Sequence, residues 1–333
     1  MDKKTKQRVL TYSLAIKEAT HQMMSKDKSV FVIGQGVKSP WYVGNTCQGL
    51  LKKFGPDRVI DTPIAENAIT GIGVGAGIVG GRAIVVHPRM DFMVYGLDPL
   101  INEAANWRYI FGGQSTAPVI VRCVINRGGE QGAQHSQALQ GLFAHIPGLK
   151  VVAPTTAYDA KGLLISAIKG TDPVIYIEDR WLYGQKDNVP RKIYSVPIGK
   201  AKIRKRGKDV TFVCISHAIL NALKAREELK KQKIDAEVID IRTIKPLDMN
   251  TIINSVKKTG HVVIIEAAWK TGGVSAEISA QISEKAFPHL KKPIKRICLP
   301  DSPAPTSKVL EKAYYDFVSP ENIIKITKKL IKK

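Results

Sequence analysis

The sequence predicts an α/β protein made of two domains, each organised around a mostly parallel sheet. Short apolar runs that are typical of strands alternate with amphipathic stretches that are typical of helices along the whole chain. The 333 residues are enough for two domains of ordinary size. A polar stretch with two prolines at residues 181–197 separates two such series, so we expect the domain boundary there.

In the first series, each predicted strand is a short apolar run, and longer helical patterns lie between the strands. The strands are predicted at Val30–Gly34, Val59–Asp61, Ala83–His87, Val119–Val124, Leu149–Ala153 and Val174–Glu178. The helices are predicted at Thr11–Ser25, Glu66–Val79, Leu97–Phe111 and Tyr158–Lys169. Buried strands joined by helices are typical of parallel sheets.

The second series begins after the polar stretch and has the same alternation. Its strands are predicted at Val210–Ile215, Ala236–Ile241, Val262–Ile265 and Ile294–Cys298. Its helices are predicted at His217–Lys231, at Met249–Val256, from the glycines at 272 and 273 to about Ala286, and from Ser307 and Pro320. We therefore place a first domain at residues 1–185, a linker at 186–197 and a second domain at 198–333.

The composition excludes several classes of protein. Hydrophobic residues make up 44% and charged residues 24%, which are ordinary globular values. No apolar run approaches the roughly 20 residues of a membrane span, and the first residues lack the apolar core of a secretory signal, so we expect a cytoplasmic protein. The four cysteines show neither metal-ligand spacing nor a disulfide framework, and we interpret them as buried thiols: Cys47, Cys123, Cys214 and Cys298.

The net charge of +22 is unevenly distributed. Residues 191–333 carry 30 basic and 14 acidic side chains, against 21 and 15 in residues 1–190. The basic clusters lack interleaved aromatic residues and any nucleic-acid-binding motif. A solvated basic surface is the favoured interpretation, and a site for a polyanion or an acidic partner is the alternative.

The segment at 59–81 contains a literal G-x-G-x-x-G at Gly75, Gly77 and Gly80. In a dinucleotide site this motif opens a helix directly after a strand, whereas here the glycines fall two to three turns inside the predicted helix. NAD binding is therefore disfavoured. Because interior glycines cost roughly 1 kcal/mol each relative to alanine, they indicate a backbone pressed closely against another element.

Two titratable side chains are candidates for chemistry. Glu66 lies in the first turn of a predicted helix, where a carboxylate either complements the helix dipole or, beside a ligand, holds a proton on a ring nitrogen. His135 ends a glycine-rich loop that follows a strand, where a structural role and a catalytic role are both open. The chain contains no Ser-His-Asp order, Walker A sequence, H-E-x-x-H or paired cysteine motif, which disfavours hydrolase, nucleotidase and zinc-enzyme functions.

Nine blocks in order give the chain a specific resemblance to a known family. They are DTPIAE (61–66), MDF (90–92), GGQ (112–114), QHSQ (134–137), AHIPGLKVVAPTTAYDAKGLL (144–164), DPVIYIE (172–178), IDIRTIKPLD (239–248), EAAWKTGG (266–273) and DSPAPTS (301–307). Over nearly its whole length the chain resembles the β subunit of the thiamine-diphosphate-dependent 2-oxoacid dehydrogenase E1 component, of the pyruvate dehydrogenase type.

The resemblance implies a pyrimidine-binding, transketolase-like domain followed by a transketolase C-terminal domain, assembled with a separate α subunit into an α2β2 heterotetramer. It implies oxidative decarboxylation of a 2-oxoacid and transfer of the acyl group to a lipoyl group, carried by an E2 partner if the assembly joins a dehydrogenase complex. No GDG occurs in the chain, so the family's motif for the cofactor diphosphate and Mg²⁺ is expected on the α subunit.

By position, the resemblance assigns roles to several residues. Glu66 matches the glutamate that hydrogen-bonds the aminopyrimidine ring and stabilises the imino tautomer, Phe92 the aromatic residue that packs on the pyrimidine, and Ile64 a residue that lines the pocket. His135 matches the active-site histidine that serves the substrate carboxylate, the intermediate or acyl transfer. A structural K⁺ of the family would map to four backbone carbonyls, those of Val119, Ala167, Gly170 and Asp172.

Two departures from the family pattern leave an alternative open. His87 and Arg89 stand where relatives typically carry apolar residues or glutamine, and Arg89 would favour an anionic or phosphorylated substrate unless it pairs with a neighbouring carboxylate. The basic second domain would oppose docking of a basic E2 module. The alternative function is therefore a stand-alone thiamine-diphosphate-dependent ketol or acyl transferase acting on an aldehyde or sugar. A catalytically inactive polyanion-binding protein is the third hypothesis, although we expect neither a membrane nor a nucleic acid as the partner.

Overall fold

The structure is a computed structural model that describes residues 8–332. These residues form two compact units. The first comprises residues 8–125 and 146–198, and the second comprises residues 126–145 and 199–332. The boundaries predicted from the sequence stay a prediction, but the structure adds that residues 126–145, which include His135, fold with the second unit.

Residues 8–198 alternate strands and helices. The elements are β1 Val9–Thr11, α1 Tyr12–Lys26, β2 Val30–Gly34, α2 Leu50–Phe54, β3 Val59–Asp61, α3 Glu66–Ile78, β4 Arg82–His87, α4 Met90–Met93, a π-helical segment Pro99–Ala104, α5 Ala105–Ile110, β5 Val119–Ile125, α6 Gln140–His145, β6 Lys150–Val152, α7 Ala157–Lys169, β7 Val174–Asp179 and β8 Lys186–Asn188.

The first unit is built on a parallel sheet in the order β6-β7-β5-β4-β2-β3. All seven residues of β5 are buried, which explains why the strand reads as a continuous apolar run broken only by Arg122. Thr11 caps α1 by accepting a hydrogen bond from the Leu14 amide at 3.3 Å, and Thr156 caps α7 in the same way.

The glycines of α3 allow this helix to lie close to the sheet. Gly75 and Gly77 are inside the helix, and Gly80 follows its end with a left-handed φ of 96°. A Cβ atom built on Gly77 would lie 2.8 Å from the carbonyl oxygen of Pro118. The close approach that the sequence predicted is therefore present, and the motif does not open a helix as a dinucleotide site requires.

Residues 199–332 complete the second unit. Its elements are β9 Lys202–Lys205, β10 Val210–Ile215, α8 Ala218–Lys231, β11 Ala236–Asp240, β12 Thr243–Lys245, α9 Met249–Thr259, β13 Val262–Trp269, α10 Val274–Ala286, β14 Lys295–Leu299, α11 Lys308–Tyr315 and α12 Pro320–Ile331. The sheet has the order β14-β13-β10-β11-β9, with β9 antiparallel and the other strands parallel. Its core packs α8 and α12 against β10 and its neighbours.

The predicted fold class, two α/β domains with mostly parallel sheets, is confirmed. The structure also differs from the predicted elements. Two short antiparallel strands, β1 and β8, pair with each other, and the charged β9 forms a sheet edge. The predicted helix Leu97–Phe111 consists of the π-helical segment followed by α5.

Candidate active site

Glu66 is the first residue of α3, directly after the turn that follows β3. The N-cap residue, Ala65, makes no side-chain cap, so the first-turn amides of α3 favour a nearby negative charge. Within the described residues, the Glu66 carboxylate has no hydrogen-bond or ion-pair partner, and the side chain is only partly buried. The structure thus presents a carboxylate that can accept a ligand's N–H group.

The surroundings of Glu66 combine exposed apolar surface with a closely packed turn. The Ile64 side chain, two residues earlier, is 71% exposed. Asn67 donates a hydrogen bond to the carbonyl of Tyr95 at 3.3 Å, and a Cβ on Gly96 would lie 3.2 Å from the carbonyl oxygen of Glu66. The turn at 94–96 therefore packs against the first turn of α3 and fixes its position.

His87, at the carboxyl end of β4, is almost completely buried, with 1% of its surface exposed. Its Nε2 atom lies 2.9 Å from the hydroxyl oxygen of Thr70 on α3. Burial lowers the pKa of His87 to about 4, so the ring is neutral near pH 7. The hydrogen bond links the end of β4 to Thr70, which lies one turn after Glu66 in α3. Because so little of the His87 side chain is exposed, it is poorly placed to contact a substrate directly.

Arg89 and Phe92 lie in the short segment that follows β4. Arg89 precedes α4, is partly buried, and donates through Nη1 to the carbonyl of Pro88 at 2.9 Å. Phe92 is the most exposed residue of α4, so part of its side chain remains accessible. All five residues lie at or just after the carboxyl ends of β3 and β4, two parallel strands on either side of β2, where ligand sites of such sheets form: Glu66, Ile64, His87, Arg89 and Phe92.

His135 lies in the second unit, on the loop between β5 and α6. Gly128, Gly129, Glu130 and Gly132 adopt left-handed backbone conformations with φ between 54° and 81°. A Cβ on Gly132 would lie 2.7 Å from the Thr306 hydroxyl, which favours glycine there for a second reason. The His135 side chain is half-buried, and its amide approaches the carbonyl of Gly132 at 3.5 Å.

Both ends of the His135 loop are bound to β13. Arg127 donates through Nη1 to the carbonyl of Ala267 at 2.7 Å, and Gln140 donates through Nε2 to the Glu266 carboxylate at 2.9 Å. Burial raises the pKa of Glu266, while hydrogen bonds from Ser275, Gln140 and Val274 oppose that shift. None of Arg127, Gln140 and Glu266 was predicted from the sequence as a site residue, although a glutamate inside the apolar run of β13 is a signal that would have identified Glu266.

The four carbonyls predicted for K⁺ lie around the end of α7 and the start of β5. The Arg82 guanidinium donates to the carbonyl of Gly170 and to that of Ile168, both at 2.7 Å. Burial opposes ionisation of Asp172, but Lys150 and Arg108 outweigh it and lower the pKa of this carboxyl. One predicted ligand thus already accepts a cationic donor, and the K⁺ site stays a prediction.

A buried charged network that was not predicted from the sequence lies within the first unit. Arg122 on β5 donates through Nε to Glu178 at 2.6 Å and through Nη2 to the Thr46 hydroxyl at 2.8 Å. The hydroxyl of Tyr183 donates to the second carboxylate oxygen of Glu178 at 3.1 Å. Neither Arg122 nor Glu178 has exposed surface, so this pair fixes the segment at Thr46 to the sheet.

The structure also bears on the cysteines, on metal binding and on membrane-spanning helices. All four cysteines are free and buried, as predicted. Among residues 8–332, no group of three or more His, Cys, Asp or Glu side chains is arranged to hold a metal ion. No helix in this part of the chain has the length and apolar character needed to span a membrane.

Comparison with known proteins places these features in a family. The model of the transketolase pyrimidine binding domain matches residues 8–186, and that of the transketolase C-terminal domain matches residues 199–323. A solved structure titled as a split gene transketolase, inactive beta4 tetramer, covers 97% of this chain and 98% of its own, with a TM-score of 0.80 and 20% identity, which supports the fold. The chain thus consists of the two domains that transketolase-type enzymes share.

The curated relatives are more specific. The β subunit of acetoin:2,6-dichlorophenolindophenol oxidoreductase from Cupriavidus necator is 43% identical over 92% of this chain and 94% of its own length. The pyruvate dehydrogenase E1 component subunit beta from Rickettsia felis is 43% identical over 91% and 93%. The chain belongs to the family of E1-type β subunits of thiamine-diphosphate-dependent dehydrogenases. Membership implies thiamine diphosphate as the cofactor and a partner α subunit.

Proposed function

We propose that this chain and an α subunit form an enzyme that oxidatively decarboxylates a pyruvate-like 2-oxoacid and transfers the acyl group to a lipoyl group. The bond between the carbonyl carbon and the carboxylate breaks with release of CO₂. The acyl carbon then forms a thioester with one sulfur of the lipoyl disulfide, and the other sulfur is reduced to a thiol. The observation that carries the proposal is the partnerless Glu66 carboxylate at the start of α3.

The residues around Glu66 fit the aminopyrimidine half of thiamine diphosphate. Glu66 supplies an acceptor for a protonated ring nitrogen, the accessible part of Phe92 supplies an aromatic surface, and the exposed Ile64 supplies an apolar contact. When bound, the cofactor supplies a carbon nucleophile for the 2-oxo carbon. Glu66 would hold the ring proton, while His87, neutral and buried, would keep the start of α3 in place through Thr70.

In this proposal the α subunit and this chain bind different parts of the cofactor and different ions. The diphosphate and its Mg²⁺ are held by the α subunit, because this sequence lacks the GDG motif. A structural K⁺ uses the carbonyls of Val119, Ala167, Gly170 and Asp172. His135 holds or passes a proton at the substrate carboxylate or during acyl transfer, a role that its half-buried position on the glycine-rich loop supports.

The decisive experiment replaces Glu66 with glutamine in the complex purified with its α chain. Glu66→Gln keeps the size of the side chain but removes the charge that holds the ring proton, so turnover should fall by about 10²–10⁴-fold. Reduction of 2,6-dichlorophenolindophenol in the presence of 2-oxoacids measures turnover, and native mass spectrometry measures assembly.

Glu103→Gln is a matched control, because Glu103 is an exposed glutamate of the same unit. It should retain wild-type turnover. If Glu66→Gln assembles, binds thiamine diphosphate and retains more than a tenth of the wild-type turnover, the proposed role of Glu66 is wrong.

Acetoin is a second candidate for the substrate. The acetoin:2,6-dichlorophenolindophenol oxidoreductase β subunits of Cupriavidus necator and Bacillus subtilis are 43% and 39% identical to this chain. Acetoin carries no carboxylate, so its cleavage releases an aldehyde in place of CO₂. Parallel kcat/KM measurements with pyruvate and acetoin decide between the two substrates.

The alternative of a stand-alone ketol or acyl transferase rests on Arg89 and the basic second domain. A guanidinium that precedes α4 would suit an anionic or phosphorylated substrate. Incubation of the complex with substrate and an equimolar mixture of lipoyl domain and an aldehyde acceptor distinguishes the two functions. Reduction of the lipoyl domain supports the dehydrogenase function, and a new carbon–carbon product supports the transferase.

We propose an α2β2 assembly, supported by apolar side chains that the first unit leaves exposed. Among these side chains, Tyr109 is 89%, Val79 84% and Tyr95 74% exposed. A cavity of about 720 Å³ lies beside Tyr109 and is bordered by Gly112 and Gly113. Native mass spectrometry of the complex from its host tests the stoichiometry, and addition of the lipoyl-bearing E2 tests whether that partner joins it.

A further inference from the structure

The His135 loop is attached to two consecutive residues of one strand. At its start, Arg127 donates to the Ala267 carbonyl, and at its end Gln140 donates to the Glu266 carboxylate. Arg127 is 2% exposed, Gln140 4% and Glu266 0%. All of these groups lie in the second unit. Buried hydrogen bonds to β13 therefore hold both ends of the loop at 128–139, and the strand sets the distance between the two ends.

The Glu266 carboxylate, which accepts the hydrogen bond from Gln140, is held in one orientation by α10. The Glu266 carboxylate accepts hydrogen bonds from the amide of Ser275 at 2.8 Å and from that of Val274 at 3.3 Å, both in the first turn of α10. The helix dipole and these two amides hold the carboxylate in one orientation. Gln140 must then present its amide N–H₂ to the remaining acceptor site, and this requirement fixes the side chain at the first residue of α6.

The backbone of the loop needs such support. Four of its residues adopt left-handed conformations, and one of these is Glu130, for which that conformation is strained. The Glu130 amide donates to the Glu311 carboxylate at 3.1 Å, which attaches the strained turn to α11. A loop of this kind keeps one conformation only if its ends are held.

We propose that Gln140 and Glu266 form a positioning pair that sets the geometry of His135 for its reaction. This inference rests on the proposed role of His135, and it adds residues that contact neither the cofactor nor the substrate. Loss of the hydrogen bond to a buried carboxylate would free the end of the loop, and displacement of a proton-transferring group by about 1 Å is enough to slow a reaction by about 100-fold.

The test uses Gln140→Leu in the full-length chain and in its complex with the α subunit. Leucine has nearly the volume of glutamine but donates no hydrogen bond. Amide hydrogen exchange of peptides within 128–139 should become at least about tenfold faster, while peptides of β13 and α10 keep wild-type rates. We expect kcat to fall about tenfold or more, with KM within twofold of wild type.

The structure offers a matched control. Gln281 on α10 donates to the exposed Glu277 carboxylate at 2.7 Å, so Gln281→Leu removes the same type of hydrogen bond at the surface of the same unit. It should change neither exchange at 128–139 nor turnover.

His135→Asn, measured in parallel, separates this inference from the proposed function. Wild-type turnover in His135→Asn would refute the role of His135, while the exchange rates would still report on the loop. If His135→Asn is inactive and Gln140→Leu leaves both exchange and kcat unchanged, the positioning pair is refuted. Should Gln140→Leu fail to fold, Gln140→Asn, which shortens the amide by one methylene, must show the same separation of kcat from KM.

Discussion

Gly77 provides the sharpest test of how α3 is seated on the sheet. Replacing it with alanine places a Cβ 2.8 Å from the carbonyl oxygen of Pro118 and 3.2 Å from the Pro118 carbonyl carbon and nitrogen. These are backbone atoms next to β5 and cannot rotate away. Overpacking of this kind costs about 1–3 kcal/mol, and alanine recovers about 1 kcal/mol through helix propensity. We expect Gly77→Ala to lower the free energy of unfolding by up to about 2 kcal/mol.

Gly75, two residues earlier in the same helix, is the control. A Cβ there would meet nothing within 4 Å, and the backbone is already helical. Gly75→Ala should therefore raise the free energy of unfolding by about 0.5–1 kcal/mol. Urea unfolding followed by circular dichroism measures both changes. Equal effects of the two substitutions, or stabilisation by Gly77→Ala, would show that α3 is not pressed against the backbone at Pro118.

Further predictions concern buried charges and ions. The pKa of His87 is about 4 when folded and near 6.5 when unfolded, so the unfolded chain binds more protons between these values. The free energy of unfolding should therefore fall by about 3 kcal/mol as the pH is lowered from 6.5 to 4, because the unfolded chain gains a proton that the folded chain does not bind. His87→Gln should remove this dependence of the free energy of unfolding on pH, as measured by urea unfolding across the range. Arg122→Met should destabilise the chain by about 3–5 kcal/mol, because Glu178 would remain buried without its cation, and Arg122→Met/Glu178→Leu should recover much of this loss in the same assay. If K⁺ binds near Gly170, KCl should raise the thermal midpoint more than choline chloride at equal ionic strength, and equal effects would argue against the site.

The parts of the fold that the sequence predicts best are strands buried on both faces. Val30–Gly34 and Val210–Ile215 have the same bounds in the sequence prediction and in the structure, and so has the edge strand Val59–Asp61, whose last residue is exposed. A strand that is buried on both faces is mostly apolar along its whole length, so its ends are marked where polar residues return. The short β8, which reads KDN, and β9, which reads KIRK, lie at edges where solvent accepts charge, and no hydrophobic pattern distinguishes them from loops.

The residues of the candidate site also differ in whether local sequence patterns identify them. Glu66, Ile64 and Phe92 lie within short sequence blocks next to strand ends, so local patterns were enough to place them at the same edge of the sheet. Gln140 and Glu266 are 126 residues apart in sequence, and their hydrogen bond depends on how the 126–145 segment folds onto β13. A single sequence contains no signal for such a contact, because glutamine is a common surface residue and only the fold shows that this one is buried.

The second half of the chain is basic because 30 Lys and Arg side chains outnumber 14 Asp and Glu side chains over residues 191–333, and several of these carboxylates are also buried. Asp240 is fully buried and binds Arg204, and Glu237 is buried and binds Lys258. These carboxylates therefore neutralise one cation on β9 and one on α9, and they contribute little to the outer surface. Lys202 and Lys205, on the edge strand β9, remain exposed, so the positive charge concentrates at the sheet edge. A basic partner would meet repulsion at this edge, and any E2 module that docks here should present acidic side chains.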